Sequence, residues 1–485
     1  MESRRYWAYY AFMNHEIELK LRLSESGQPA LIKLLDQLAE PGNELKLINQ
    51  YFDTSGLSLS KAGAALRIRQ QENLADNQKK IIQTLKTRGQ INAGLHQRME
   101  WDWPLEKEGL DISRIQDCEA KQYLPESIKL DDIQPLFETN FKRRIWHYQQ
   151  GESRVEVVLD QGQVSSQEQS IPLLELELEL LAGEPEVLFD LAQQLVASVP
   201  MVMSDISKAE RGYGLLAHAN AEGKDWSARP PKLDLKADLS SSFKPLLSFE
   251  LSNLQRALEL GIWQQNPQAI LKADWLLNGI RHLLKAFGSI VKRNQTSDVR
   301  LALDELSTAL HDASQLAALL VFANDLPEYC AETLQLQFEK KLLKLQQSQQ
   351  WGKVTVATGR WLYELELSAN EKDSAWLGLV RKQLKQAWPE KRLKQAQQNW
   401  QKWFELLPKL QRLWQFMRYA PGLFPDHSQQ KIDALLLEVI FGLQVKLHQP
   451  DELLPAEIWQ QLAADMAPEQ EEYAAQVYKA LQTLA

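Results

Sequence analysis

From Leu174 to Leu180 the chain alternates leucine with Glu175, Glu177 and Glu179 without a break. A period of two belongs to an extended strand, so the leucines share one face and the three carboxylates the other, about 6.5–7 Å apart. Three like charges in a row repel and gain little unless cations lie opposite. The pattern therefore calls for a sheet in which other strands supply the cations. His15 to Leu23 sets Glu16, Glu18, Lys20 and Arg22 on one face and Ile17, Leu19, Leu21 and Leu23 on the other. Leu66-Arg67-Ile68-Arg69 repeats the scheme with two cations, as do the stretches around Lys86, Arg98 to Trp103, Phe141 to Tyr148 and Val155 to Asp160.

A charged strand face is ordinarily a solvated one. If these strands instead close into a barrel with their charged faces inward, acids and bases line one cavity. The apolar faces then point outward and need covering helices, for which the segments near Pro29 to Glu40 and Val187 to Val199 are available. Such an interior would bind a polyanion through Arg and Lys while carboxylates hold divalent cations.

From about residue 240 the period becomes helical. Leu306, Leu310, Ala313, Ala317 and Leu320 step by four and three, and Leu377, Val380, Leu384 and Trp388 do the same. Eleven of the 15 tryptophans fall after residue 220, which a bundle of amphipathic helices explains without any ligand. Residues 217–240 carry Gly, two Pro and alternating charge and read as a linker. The chain thus divides into 13–216, a 217–240 linker and 241–485, the length of 485 residues being too great for one ordinary core.

Charge narrows the partners. Residues 1–230 hold 26 basic and 35 acidic side chains, so the formal net charge of −9 belongs to the strand-rich half. That balance argues against nucleic acid as a partner. No apolar run reaches the roughly 18–20 residues that span a bilayer, and Met1 to Phe12 lack the apolar core of a signal peptide. Cys118 and Cys330 form neither a disulfide framework nor a metal cluster, which fits a reducing cytoplasm. There is no P-loop, zinc-ligand spacing or GxSxG elbow. His15 and His96 read as surface or packing residues.

Glu16-Ile17-Glu18-Leu19-Lys20 is followed in order by Tyr51-Phe52-Asp53-Thr54, Ala64-Ala65-Leu66-Arg67-Ile68-Arg69, Thr84-Leu85-Lys86 and Gly94-Leu95-His96-Gln97-Arg98-Met99-Glu100. Arg143, Leu159-Asp160-Gln161-Gly162, Glu175-Leu176-Glu177 and Ser207-Lys208 complete the series. This ordered set, over residues 14–216, resembles the CYTH superfamily, the triphosphate tunnel metalloenzymes. The resemblance implies an α+β chain that begins with an eight-stranded antiparallel tunnel with covering helices. It implies metal-dependent hydrolysis of inorganic triphosphate to pyrophosphate and phosphate, with Mg²⁺ or Mn²⁺ as cofactor. It also implies roles: Lys20 and Lys86 as catalytic lysines; Arg67, Arg69, Arg98, Arg143 and Lys208 as substrate contacts; Glu16, Glu18, Asp160, Glu175 and Glu177 as metal-handling acids. Glu100, Glu156 and Glu179 share those faces. Arg143 is preferred to Arg144 by the same analogy, and the choice matters because one step flips the face. Since relatives of this kind begin close to the first motif, residues 1–12 before Met13 are expected to be dispensable.

The second half resembles a CHAD domain, an all-α module that often follows CYTH domains and is linked to polyphosphate. Leu271 to Phe287 aligns with its basic helix: Arg281, Lys285 and Phe287 fit, while Leu271 and Asp274 replace the expected His and Arg. A second basic run, Arg381, Lys382, Lys385, Lys391, Arg392 and Lys394, reads as a solvated helix face. Two alternatives stay open on the same tunnel: thiamine triphosphatase or adenylate cyclase chemistry, and polyphosphate binding without catalysis. The last would need only the cations, yet the acidic positions are all present.

Overall fold

The computed structural model describes residues 15–322, 328–367, 376–387 and 405–419, apart from 88, 117–118, 125–127, 129–131, 167–168, 219–229, 232 and 235. Residues 1–12, much of the expected linker, Cys118, Trp388 and the run from Lys391 to Lys394 lie outside the described residues. The chain forms two compact units, Met1–Trp226 with Trp351–Tyr363, and Ser227–Gln350 with Glu364–Ala485.

The first unit is built from antiparallel strands: β1 (His15–Leu23), β2 (Glu40–Thr54), β3 (Ala64–Asn73), β4 (Lys79–Thr87), β5 (Gln90–Asn92), β6 (Leu95–Leu105), β7 (Ile133–Gln150), β8 (Ser153–Ser166), β9 (Gln169–Ala182) and β10 (Met201–Met203). Hydrogen-bonded neighbours run β1-β9-β8-β7-β2-β3-β4-β6, and β6 returns to β1 with Glu16 opposite Arg98. Eight strands therefore close a ring, with β5 added at β6 and β10 taking over the edge of β1 from Leu21 to Leu23. Closure pairs the edges that an open sheet would expose.

Helices α1 (Gln28–Leu38), α2 (Ser58–Ala62), α3 (Glu186–Ser198) and α4 (Lys208–His218) belong to this unit. The chain continues with α5 (Leu239–Trp263), α6 (Pro267–Ala286), α7 (Ser297–Phe322), α8 (Glu328–Gln346), α9 (Gln350–Glu364), α10 (Trp376–Ala387) and α11 (Leu407–Arg418).

The barrel is apolar outside. Leu19, Leu21, Leu23, Val155, Val157, Leu176 and Leu178 pack with Leu31 and Leu35 of α1, with Leu188, Leu191 and Leu195 of α3, and with Val356 of α9. Each buried leucine side chain contributes about 1.5–3 kcal/mol over an exposed one. Helix α9 thus groups with the tunnel although it follows four helices of the other half. It sits so close that a Cβ on Gly352 would lie 2.4 Å from the Met201 carbonyl oxygen. Around the ring, Leu66, Ile68, Leu85 and Trp101 form a second outer cluster under Leu59, Ile115 and Ala120.

The inside is not charged throughout. Leu45, Leu47, Tyr51, Phe137, Phe141 and Leu173 gather with Leu215 of α4 in an apolar cluster. Gly212 permits that approach, since a Cβ there would stand 2.1 Å from the Phe137 ring. Asp53, buried between strand and helix, holds the first turn of α2: Oδ1 accepts from the Leu59 amide at 2.8 Å and Oδ2 from the Ser60 amide at 2.9 Å. The Tyr213 hydroxyl donates to the same carboxylate at 3.1 Å, which ties α4 to β2. The Tyr-Phe-Asp-Thr motif therefore serves the architecture through Asp53.

In the second unit, Asp238 caps α5 by accepting from the Ser241 amide and Asn266 caps α6 by accepting from that of Ala269. Phe243, Phe287, Trp376, Phe416 and Tyr419 form an aromatic core. Helix α10 has the expected period, but Trp376, Leu379, Val380, Gln383 and Ala387 are its buried residues. The inward face is thus rotated from the one marked by Leu377 and Leu384, because Trp376 anchors it against Phe287.

Candidate active site

The pleat and the register together determine which charges meet. Pairing sets Lys20 opposite Glu177 and Arg22 opposite Glu175 between β1 and β9. Arg143 faces Asp160 between β7 and β8, Asp160 faces Glu175 between β8 and β9, and Lys86 faces Glu100 between β4 and β6. Alternation places all of these on the inner face. Lys20 Nζ lies 3.1 Å from Glu177 and 3.2 Å from Glu18. Lys86 Nζ lies 3.0 Å from Glu16 and 2.7 Å from Glu100. Arg98 donates to both Glu16 and Glu18. Arg143 grips Asp160 with both arms of its fork, at 2.8 and 2.7 Å.

Asp160, Glu175 and Glu177 offer oxygens within 4.8 Å of one another, and all three residues are buried. Such hard, anionic oxygens suit Mg²⁺ or Mn²⁺. The Lys208 ammonium reaches into this cradle, 2.7 Å from Asp160 and 3.0 Å from Glu177, and also bonds Glu175. A cation's place is therefore built into the interior, and the donor set fits a divalent ion.

Burial by itself would neutralise these groups; the opposing charges reverse it. Burial raises Glu177, but Lys20, Lys208 and Arg143 hold its carboxyl well below the usual range. Glu16 is likewise held well down by Lys86 and Arg98, and Asp160 is lowered by Arg143 and Lys208, each against its own burial. Burial works against the charged forms of Lys208 and Arg143, but Asp160 together with the neighbouring glutamates outweighs it, so both stay protonated more firmly than normal. Glu179, opposite Glu18 in the register, is the exception: burial together with Glu16 and Glu18 pushes it up to about 8.

Beside the paired charges lies a group poor in anions. Arg67 reaches Glu100 only at 3.4 Å. Arg69 makes no ion pair among the described residues; its Nε donates to Asn49 Oδ1 at 2.8 Å. Burial, Arg67 and Arg143 push Arg69 down to about 10. Tyr51, against burial, is lowered by Arg67.

All twelve residues expected in the site lie on the inner faces of the ring or, for Lys208, at the start of α4 among them. Glu100 and Glu179 share that interior. Arg144 points the other way, to Asp36 of α1 at 3.1 Å and over the Trp146 ring, so the structure sets Arg143 inside. His96 is buried with Nε2 3.3 Å from Asp205 Oδ1. Tyr51, Asn49 and Thr139 were not among the expected residues. Asn49 is two residues before Tyr51 and so shares its face, but a neutral polar residue on a strand carries no signal of its own.

A closed antiparallel barrel whose interior pairs Arg and Lys with clustered carboxylates is a charged β tunnel. The comparisons agree with that class. The profile of the CYTH domain matches residues 14–213. An inorganic triphosphatase from Haemophilus influenzae is 32% identical over 258 residues, covering 51% of this chain and 69% of that protein. The chain belongs to the CYTH family. Among solved structures, a Hippeastrum protein described as having a dominant triphosphatase activity aligns at 21% identity over 41% of this chain and 95% of its own, with a TM-score of 0.32. The CHAD domain of Ricinus communis aligns at 16% identity over 55% of this chain and 98% of its own, with a TM-score of 0.40. Among the described residues no helix is long and apolar enough to cross a membrane.

Proposed function

We propose that the tunnel hydrolyses inorganic triphosphate to pyrophosphate and phosphate with Mg²⁺ or Mn²⁺ as cofactor. The observation that carries this reading is the coexistence, on one interior, of a carboxylate cradle able to hold a cation and of Arg69, a cation with no carboxylate partner among the described residues. The similarity to the Haemophilus influenzae inorganic triphosphatase supports the same substrate. Tripolyphosphate carries about four to five negative charges near neutral pH and would be repelled by the acids alone. Arg67 and Arg69 offer forked donors to its oxygens, and Arg98, Arg143 and Lys208 add further positive charge. Lys20 and Lys86, each paired with interior carboxylates, would steady the leaving pyrophosphate. Asp160, Glu175 and Glu177 would hold a divalent ion, with Glu16 and Glu18 as the neighbouring acids. Such an ion supplies neutralisation of the phosphate oxygens as the terminal P–O bond breaks.

Polyphosphate binding by the helical unit is not part of this reading. Arg281 is committed to Asp304, Asn278 and Ser307, and Phe287 is core, which leaves Lys285 exposed. The test is a phosphate-release panel of tripolyphosphate, thiamine triphosphate, ATP and long-chain polyphosphate. Tripolyphosphate turned over with by far the highest kcat/KM is expected; preference for an organic triphosphate would replace this substrate assignment.

A further inference from the structure

Arg69, Asn49 and Thr139 stand directly opposite one another on three adjacent strands, Arg69 of β3 against Asn49 of β2 and Asn49 against Thr139 of β7. The Asn49 and Thr139 side chains are both fully buried. Asn49 Nδ2 donates to Thr139 Oγ1 at 2.9 Å, which fixes the orientation of the amide. Its Oδ1 is thereby aimed at Arg69 Nε, 2.8 Å away. No other hydrogen bond or ion pair holds this guanidinium among the described residues.

We infer that Asn49 is a positioning residue that holds Arg69 for the anion without cancelling its charge. The inference rests on the proposed function. A cation largely withdrawn from water is normally compensated by a carboxylate. Arg98, Arg143, Lys20, Lys86 and Lys208 all follow that rule in this interior. At Arg69 the partner is a neutral amide of nearly the same size as an aspartate. It occupies Nε alone and leaves the terminal nitrogens for a phosphate oxygen pair. The low pKa of Arg69, set by burial and by Arg67 and Arg143, is what an uncompensated cation in this place should show. Thr139 acts one step further back, since its hydroxyl prevents the amide from turning its donor toward Arg69.

The near-isosteric Asn49→Asp places a carboxylate against Arg69. With tripolyphosphate it should raise KM about ten- to a hundred-fold with a much smaller change in kcat. The melting temperature should hold or rise, because an ion pair replaces a neutral contact. Thr139→Val should raise KM only several-fold. In an Arg69→Ala background, Asn49→Asp should add less than about three-fold, because its action runs through Arg69. A residue of purely structural value would show the opposite split, a lower melting temperature with unchanged KM. A wild-type KM in Asn49→Asp, or an equal penalty with and without Arg69, would overturn the inference. Calorimetric titration with tripolyphosphate keeps the two ideas apart. A wild-type protein that binds but does not cleave removes the proposed reaction, and the same comparison is then made on Kd, where an unchanged value in Asn49→Asp still refutes the role of Asn49.

Discussion

Glu177 in the tunnel and Glu250 in the helical unit are both buried carboxylates, and burial drives both toward the neutral form. Their neighbours decide differently. Three cations surround Glu177 and hold it well below the usual range. Glu250 has Arg418 nearby and accepts from the Tyr419 hydroxyl at 2.6 Å, and it remains raised. The same contrast separates Asp160, which is lowered, from Asp274, which burial pushes up to about 6. His282 in the helical unit is pushed down to about 4, again toward neutrality. Within the helical unit burial thus moves Glu250, Asp274 and His282 toward their neutral forms. The tunnel maintains a dense, nearly balanced set of ions, an arrangement that costs desolvation and makes sense where charged ligands complete it.

The comparison can be broken most decisively at the cation cradle. Excess chelator should abolish triphosphate hydrolysis, and Mg²⁺ or Mn²⁺ should restore it; full turnover in chelator would remove the cation from the mechanism. Next in size is Lys208→Met, which strips the ammonium from Asp160, Glu175 and Glu177. Breaking a buried pair typically costs about 3–5 kcal/mol. Thermal melts in chelator should show that loss, and Mn²⁺ should recover much of it. A variant as stable as the wild type without metal would show that the three acids need no counter-ion.

The two faces of β3 give the third test. Arg67→Ala and Arg69→Ala should each lower kcat/KM by about 10–1000-fold with modest changes in stability. Ile68, between them and packed outward with Leu66 and Trp101, should behave oppositely. Ile68→Ala should cost about 2–4 kcal/mol while the folded enzyme turns over nearly normally. Near wild-type kinetics in both arginine variants would sink the proposed substrate site.

The smallest effect lies in the helical unit. Asp274 has a folded value of about 6 against an ordinary 3.8, set by burial and only partly offset by Arg281 and His311. Its stabilising contribution is therefore full below about pH 3.8 and is lost as pH rises through about 6. Asp274→Asn should be more stable than the wild type at pH 8, by at most about 3 kcal/mol, and about equally stable at pH 4. A variant less stable at pH 8 would mean that Arg281 and His311 hold Asp274 as an ion after all.

Much of this was legible in the chain. Strict alternation from Glu16 to Arg22, through Arg67 and Arg69, and from Glu175 to Glu179 puts the charges of each stretch on one common face, because the strand period of two leaves no other arrangement. Periodicity likewise placed α7, and the helical segments expected near Pro29 to Glu40 and Val187 to Val199 lie close to α1 and α3. What alternation cannot supply is register and closure. That Arg98 meets Glu16 depends on β6 returning to β1 across some 80 residues of chain, and that Arg143 rather than Arg144 looks inward depends on pairing with β8. The return of α9 to the tunnel, the apolar stretch of the interior around Phe137 and the row from Arg69 through Asn49 to Thr139 are also products of packing. Local sequence sets which side of a strand a residue occupies, a matter of backbone geometry two residues long. Which residue it then faces is decided by contacts between distant segments, whose energies exist only once the barrel has closed.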